Sequence, residues 1–270
     1  MSPRQIDPRI RPALIEIGAR LLADEGPKSL STRRIAAEAG TSTMAVYTYF
    51  GGMSGLVREM VHEGFARLQK HLAQVVETDD PVADMALMGR AYRHNALANP
   101  HLYAAMFGGS SLAGFELTEE DRQHGRYNLS NVVECARRCI AAARFRPSDE
   151  VMVAHQMWIT IHGLVDLELG SYLIAPCDAD AVLETQLVAL MTGAGDDPGP
   201  AARSVALSAR RFGREISTTP RTAEEVPAEE KKPSRRGRNG RTRNGSTNGS
   251  GNGKAIANGA ANGGTAKAVR

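Results

Sequence analysis

Apolar residues recur along this chain at spacings of three and four, and no stretch alternates with a period of two. Ile10, Leu14, Ile17 and Leu21 form one such stripe, which ends near Gly26-Pro27. A longer one, Leu56, Met60, Phe65, Leu68, Leu72 and Val76, marks an amphipathic helix of about six turns. Between them, Ile35, Ala36 and Ala39 and then Val46 and Phe50 are the inward positions of two short helices. Ser31 is placed to cap the first by accepting from the N–H of Arg33 or Arg34, Gly40 to end it in the left-handed region, and Ser42 to cap the second. Asp80-Pro81, Asn99-Pro100, Thr118 with Asp121, Pro147-Ser148 and Asp178 read as the starts of five more helices, reaching about Ala98, Met106, Ala143, Gly170 and Gly193. The expectation is an all-α chain of nine helices.

Two short helices joined at a glycine make either an ordinary helical hairpin or a helix-turn-helix. The residue order favours the second. Leu-Ser-Thr-Arg-Arg-Ile-Ala, then Ala-Gly-Thr-Ser, then Val-Tyr-Thr-Tyr-Phe-Gly resembles the DNA-binding domain of the tetracycline-repressor family of bacterial regulators, from about Pro8 to Phe65. The resemblance implies a DNA-binding head over residues 8–53 and a ligand-binding and dimerisation domain over 54–195, with the long fourth helix joining them. It also implies that Thr32 and Arg33 reach DNA, that Thr43, Met44, Ala45 and Thr48 address base edges, and that Tyr47 and Tyr49 hold phosphates. The last two long helices would form a four-helix bundle across a two-fold axis, with Val165, Leu169, Val182, Leu183, Leu187, Leu190 and Met191 divided between that interface and the monomer core.

Two features depart from the family pattern. The recognition helix contains no Arg, Lys, Asn or Gln, so bidentate reading of guanine or adenine falls to Arg33, and the helix itself offers methyls and hydroxyls suited to thymine methyls and groove shape. Met53 stands where relatives usually carry a phosphate-binding Lys.

Composition narrows the partners. The net charge is +3, but residues 217–270 hold 11 Lys/Arg against 4 Asp/Glu, so the first 216 hold 22 against 26. The body is not a general polyanion binder. Residues 196–270 read as a linker and a disordered basic Gly/Asn-rich tail, whose Lys231, Lys232, Arg235, Arg236, Arg238, Arg241 and Arg243 offer sequence-independent phosphate affinity or a solvated tail with no dedicated partner. Cys135, Cys139 and Cys177 make no disulfide framework and suit a reducing cytoplasm. The N-terminus lacks the apolar core of a secretion signal, and the longest uncharged run, Val151–Val165, is too short to span a membrane.

Cys135 and Cys139, one turn apart, find no further ligands at metal-site spacing and read as buried thiols. No nucleophile motif, phosphate-cradling loop or paired carboxylates appear, so neither enzyme nor cofactor chemistry is expected. In MWITIHGLVDLELG, the Trp158, His162 and Gly163 arrangement resembles a Trp-His-Gly subfamily of C-terminal domains. His155, Trp158 and His162 share one helical face, either as packed core or as the lining of an inducer pocket, with Asp166 placed to orient His162 and raise its pKa. The function expected is a cytoplasmic, homodimeric, ligand-responsive regulator. It would be a repressor on a pseudo-palindromic double-stranded DNA operator, released by a small apolar or aromatic effector. The alternatives are largely non-specific DNA binding driven by the basic tail, or a helical enzyme or carrier that kept the head fold.

Overall fold

The computed structural model describes residues 7–107 and 118–216, and every regular element among them is helical. The head consists of α1 (Ile10–Glu25), α2 (Thr32–Glu38) and α3 (Thr43–Phe50), with a 3₁₀ turn at Pro27–Ser29. The connecting helix α4 (Met53–Leu72) follows. The body is built from α5 (Pro81–Ala98), α6 (Pro100–Phe107), α7 (Glu119–Tyr127), α8 (Ser130–Ala141), α9 (Glu150–Leu169), α10 (Ala179–Ala194) and α11 (Pro198–Glu215).

Local chemistry accounts for most boundaries. Asp80 accepts from the Ala83 amide at 3.1 Å with Pro81 opening α5, and Asp178 accepts from Ala181 at 3.0 Å to start α10. Thr118 and Asp121 form the reciprocal capping box of α7, with Asp in the place usually held by Glu or Gln. The cap of α9 is Asp149, which accepts from Val151 and Met152, one residue beyond the start expected at Pro147-Ser148.

Two expectations need correction. The helix expected from Thr118 to Ala143 is two, because Asn128 turns its side-chain amide back to the His124 carbonyl at 3.1 Å and ends α7. Residues 198–215, read as linker, form α11: Pro198 is the ordinary first residue of a helix, and the buried stripe is Ala201, Ser204, Val205, Ser208 and Arg211, too small and polar to announce a core helix. The helices among the described residues therefore number eleven rather than nine. Of the residues divided between interface and core, Val165, Leu183, Leu187 and Met191 are buried within this single chain and close its own core. The basic tail lies outside the described residues.

Two hydrophobic clusters organise the chain. One gathers Leu14, Leu21, Ile35, Val46 and Phe50 against Leu56, Val57, Met60 and Val61 of α4; the other gathers Leu68 and Leu72 of the same helix with α5, α8, α9, α10 and α11. Each fully buried Leu, Val or Met contributes about 1.5–3 kcal/mol relative to exposure. Where α4 crosses α6, a Cβ on Gly64 would stand 2.6 Å from Met106, so the close approach requires glycine.

Helix α11 is held to α5 by charge buried in that second core. Asp84, wholly buried, takes Arg211 at 2.6 Å, Arg138 at 3.0 Å and both the amide and hydroxyl of Thr78. Arg211 is itself 4% exposed. Replacing Asp84 by Ala removes the buried carboxylate shared by Arg211 and Arg138 and orphans the Thr78 donors, while Glu215 still pairs with Arg211 at 2.8 and 3.0 Å; the expected loss, read by urea unfolding, is about 2–4 kcal/mol. Substitution of exposed Glu77 by Ala, which sits 3.9 Å from Arg138, should cost under about 1 kcal/mol in the same assay.

Candidate nucleic-acid interface and ligand cavity

In the head, Ser31 Oγ accepts from the Arg34 amide at 3.2 Å, and the chain leaves α2 through Gly40 at φ +64°, a conformation that a side chain would strain. Val46 and Phe50 anchor α3 inward. Its opposite face carries Met44, 65% exposed, Tyr47, 53% exposed, and exposed Thr43 and Thr48, with Ala45 half-buried. The Thr48 hydroxyl donates to the Met44 carbonyl at 2.8 Å, which leaves its methyl and lone pairs outward. Tyr49 is half-buried and its phenol reaches back to the Asp7 carbonyl at 3.4 Å.

The neighbouring arginines divide their roles. Arg34 makes a two-pronged pair with Glu25 at 2.7 Å and a second contact with Glu38, bracing α2 on α1. Arg33 is exposed beside half-buried Thr32, and among the described residues no carboxylate pairs with it. Met53, at the position of the missing Lys, packs partly buried against the head core.

The body holds a cavity of about 240 Å³ that is partly open to solvent. Its apolar wall includes Phe65 and Leu68 of α4, Met88 of α5, Phe107 of α6, and Trp158 and Ile161 of α9. Its polar lining is Asp121, Arg122, Arg126 and Asn128 from α7 and its C-cap, with Tyr92 from α5 and His155 from α9.

Through α7 the cavity touches α4. Asp121 is 1% exposed and takes His62 Nε2 at 2.8 Å and Arg58 Nε at 3.2 Å, both on α4. Burial opposes its ionisation, but the Thr118 amide and hydroxyl, His62 and Arg58 outweigh it and hold the carboxyl at about 2. His124 stacks on His62 with ring centroids 4.5 Å apart. A Cβ on Gly125 would lie 2.8 Å from the Phe65 ring, so α7 sits on α4 as closely as glycine allows.

His155 and Trp158 line the cavity, whereas His162 is not among its lining residues. It ends a polar chain behind it. The Trp158 indole donates to Tyr92 Oη at 3.3 Å, and the Tyr92 and Tyr103 hydroxyls, 3.4 Å from each other, converge on His162 Nδ1 at 2.9 and 2.6 Å. Burial pushes the Tyr92 phenol up to about 12, and Tyr103 is raised by burial first and by Tyr92 second, so both stay protonated. The chain closes when neutral His162 accepts at Nδ1. Burial lowers the His162 pKa, and the charge of Asp166 opposes this without overcoming it, contrary to the upward shift expected from their spacing.

Neither tyrosine stands out from sequence, since both read as ordinary core positions of their helices. Arg58, His62, Asn128 and the cavity role of Asp121 escape a sequence reading too, because their meaning lies in contacts across 59 or more residues for the α4–α7 pair and in one buried atom for Asn128. Cys135 and Cys139 are both buried, and the Cys135 thiol donates to the Pro81 carbonyl at 3.3 Å. Among the described residues no group of three His, Cys, Asp or Glu is arranged to hold a metal ion, and no helix is long and apolar enough to cross a membrane.

A three-helix head with an exposed recognition helix, continuous with a helical body enclosing an apolar cavity, defines the class of helix-turn-helix regulators with a ligand-binding domain. Comparison with known proteins agrees. Residues 14–60 match the model of bacterial regulatory proteins of the tetR family, and residues 85–190 match the tetracyclin repressor-like C-terminal domain. The chain belongs to the TetR family. It is 32% identical over 107 residues to the HTH-type transcriptional regulator Rv1816 of Mycobacterium tuberculosis, an alignment covering 37% of this chain and 44% of that relative. The match thus spans less than half of the curated relative's length. Among solved structures, a protein of unknown function from Rhodococcus sp. RHA1 superposes with a TM-score of 0.61 at 25% identity, over 73% of this chain and all of that one. The TetR family transcriptional regulator PfmR of Thermus thermophilus shares the fold at a TM-score of 0.56 and 18% identity, over 66% of this chain and 97% of its own.

The tyrosine chain carries a pH dependence of known sign. Because the folded-state pKa of His162 is depressed, the unfolded chain binds the extra proton first, so stability is full above about 6.5 and is lost as pH falls below it. The difference in unfolding free energy between wild type and His162→Asn, which keeps an acceptor without a titrating ring, should fall on acidification by at most about 1.4 kcal/mol per pH unit. A difference that does not vary between pH 7.5 and 5 would remove His162 as the responsible group.

Proposed function

We propose that the chain is a cytoplasmic, homodimeric transcriptional repressor that releases a pseudo-palindromic operator when a small apolar effector enters the body cavity. The observation that carries this reading is that one helix serves both ends: α4 contributes Leu56 to Val61 to the head core and Phe65, Leu68 and Leu72 to the cavity wall. A ligand that prefers a displaced wall therefore also prefers a displaced head.

On DNA, two recognition helices must stand about 34–36 Å apart, or a matching larger spacing, to enter successive major grooves. Thr43, Met44, Ala45 and Thr48 meet base edges through methyls and short side chains, Tyr47 and Tyr49 contact phosphates, and Thr32 and Arg33 contact the duplex from the start of α2. The dimer face that fits this geometry lies on α9 and α10. Met152, Ile159 and Leu167 are large, apolar and exposed along one side of α9, and Gly163 between them has open space before it. A Cβ on Gly193 of α10 would likewise meet open space, although the Arg146 guanidinium donates to its carbonyl.

The test is a competition titration of the full chain on DNA from upstream of its own gene against a scrambled duplex of equal length, at two salt concentrations. Preference of several kcal/mol that survives the higher salt is expected. Equal binding that vanishes with salt would instead assign DNA affinity to the basic tail. In the same assay, Arg33→Ala should weaken native-duplex binding by about 1–3 kcal/mol at unchanged thermal stability. Arg34→Ala should lower stability through α2 and reach binding only indirectly, so identical behaviour of the two variants would overturn the division of roles.

A further inference from the structure

The cavity has a deep apolar part and a charged mouth. Leu68, Leu72, Met85 and Met106 line it and are buried, whereas Arg122 and Arg126 line the same space and are exposed. The two arginines therefore stand where the chamber opens to solvent, four residues apart on one face of α7. Half-buried His155 lines both the chamber and an adjoining groove, which Arg126, Leu129 and Arg137 also line.

Cations exceed anions at this mouth. Among the described residues Asp121 is the one carboxylate in the lining, and it is buried and committed to Thr118, His62 and Arg58, whose charge offsets its own. Arg122 makes no hydrogen bond among the described residues, and its ion pair with Glu119 is stretched to 4.0 Å. Arg126 is held by Glu119 and Gln123, but an exposed pair of this kind is worth so little that a second carboxylate can share it. The remaining polar groups add no free donor. The Tyr92 hydroxyl is engaged with Trp158, Tyr103 and His162. His155 Nδ1 lies 2.7 Å from the Val151 carbonyl and so carries the hydrogen of the neutral ring. What the mouth offers a ligand is two guanidinium forks, whose planar geometry matches a carboxylate. A carboxylate placed there keeps water on one side, so its charge does not enter the apolar chamber.

Resting on the effector reading above, we propose that the cavity takes an amphipathic anion, with an alkyl or aromatic body in the chamber and one carboxylate at the mouth, bonded by Arg122 and Arg126. The site balances one negative charge, since Arg122 is nearly uncommitted while Arg126 is already partly neutralised by Glu119. A phosphate monoester, with close to two charges, suits it less. The volume of about 240 Å³, just below the roughly 300–1,000 Å³ of sites for drug-sized ligands, keeps the body small.

Hexanoate, octanoate and decanoate are compared with the alcohols and amines of the same chain lengths, and octanoate with octyl phosphate. Binding to the full chain is read from Trp158, the sole tryptophan, which lines the cavity. The best carboxylate should bind about fivefold or more tighter than its alcohol, with the amine weakest. Replacing Arg122→Gln and Arg126→Gln together should abolish that advantage while the alcohol binds as before. Both side chains are exposed, so a thermal melt within a few degrees of wild type is expected and shows that the variant is folded. Arg137→Gln removes the same charge from the adjoining groove and should leave the advantage intact, which separates a bond at the mouth from a general positive field. Equal affinity for carboxylate and alcohol, a preference for the amine or for octyl phosphate, an advantage that survives the double variant or falls equally in Arg137→Gln, or no binding of any probe would overturn the proposal. Operator occupancy is followed in parallel. A carboxylate that binds through the two arginines yet leaves operator binding unchanged would sink the effector reading and leave the head-group assignment standing. An alcohol that binds as tightly as the carboxylate and releases the operator would do the reverse.

Discussion

A single uninterrupted helix belongs to two hydrophobic cores at once. The first half of α4 is locked among α1, α2 and α3, and its second half among the body helices, with Phe65 packed partly against both. Close packing allows little independent adjustment, because a core loses contact energy with any gap and strains with any overlap. The glycines on its path sharpen this: Gly18 of α1 brings its Cα against Met60, and Gly64 brings α4 against Met106. An element so tightly seated moves as a rod, and the head's position is slaved to the direction of that rod.

The rest of the body supplies a fixed frame for it. Buried Asp84 joins α5 to α8 through Arg138 and to α11 through Arg211, while Arg90 of α5 reaches Glu184 of α10 at 2.6 and 2.9 Å and Ser208 of α11 at 2.9 Å. Arg144 adds a two-pronged pair with Asp196, and Ser204 ties α11 to the Asp80 cap at 2.7 Å. Such ion pairs add little net stability compared with apolar replacements, yet they tolerate no loss of one partner, and so they penalise any alternative docking of these helices.

What is legible in the sequence follows the range of the interactions. Caps and turns act within four residues, so Ser31, Asp80, Asp178, the Thr118–Asp121 box and the left-handed turn at Gly40 are all readable from neighbouring letters. The apolar stripes of α1 and α4 are readable for the same reason. Helix α11 is not, since its buried face of Ala201, Ser204, Val205, Ser208 and Arg211 acquires meaning from Asp80, Asp84 and Arg90, more than 110 residues earlier. The Trp158 and His162 stripe is visible as a stripe, but its division into a cavity-lining indole and a buried imidazole depends on Tyr92 and Tyr103 from two other helices. The same holds for the expected interface residues: one helical period cannot distinguish Val165, which faces its own core, from Ile159, which faces outward. The assignment of Thr32, Arg33 and the α3 face to DNA comes from family resemblance alone; Arg33 is exposed, whereas its neighbour Arg34 is paired with Glu25 and Glu38.

The weakest attachment in the body is also the one that touches the cavity. Helix α7 has a single buried residue, and that residue is the charged Asp121 rather than an apolar anchor. Elements held by few buried apolar contacts open at low free energy. Asp121 nevertheless grips α4 through His62 and Arg58, and Gly125 lies flush on Phe65, so α7 cannot shift without changing what α4 rests on. A ligand pressing on the cavity lining that α7 supplies meets the softest wall of an otherwise rigid chamber, and that wall is fastened to the rod that carries the head. The coupling this arrangement can deliver is bounded by the difference in ligand affinity between the two positions of α7. With a single buried residue, α7 is the body helix on which a small difference of this kind has most effect.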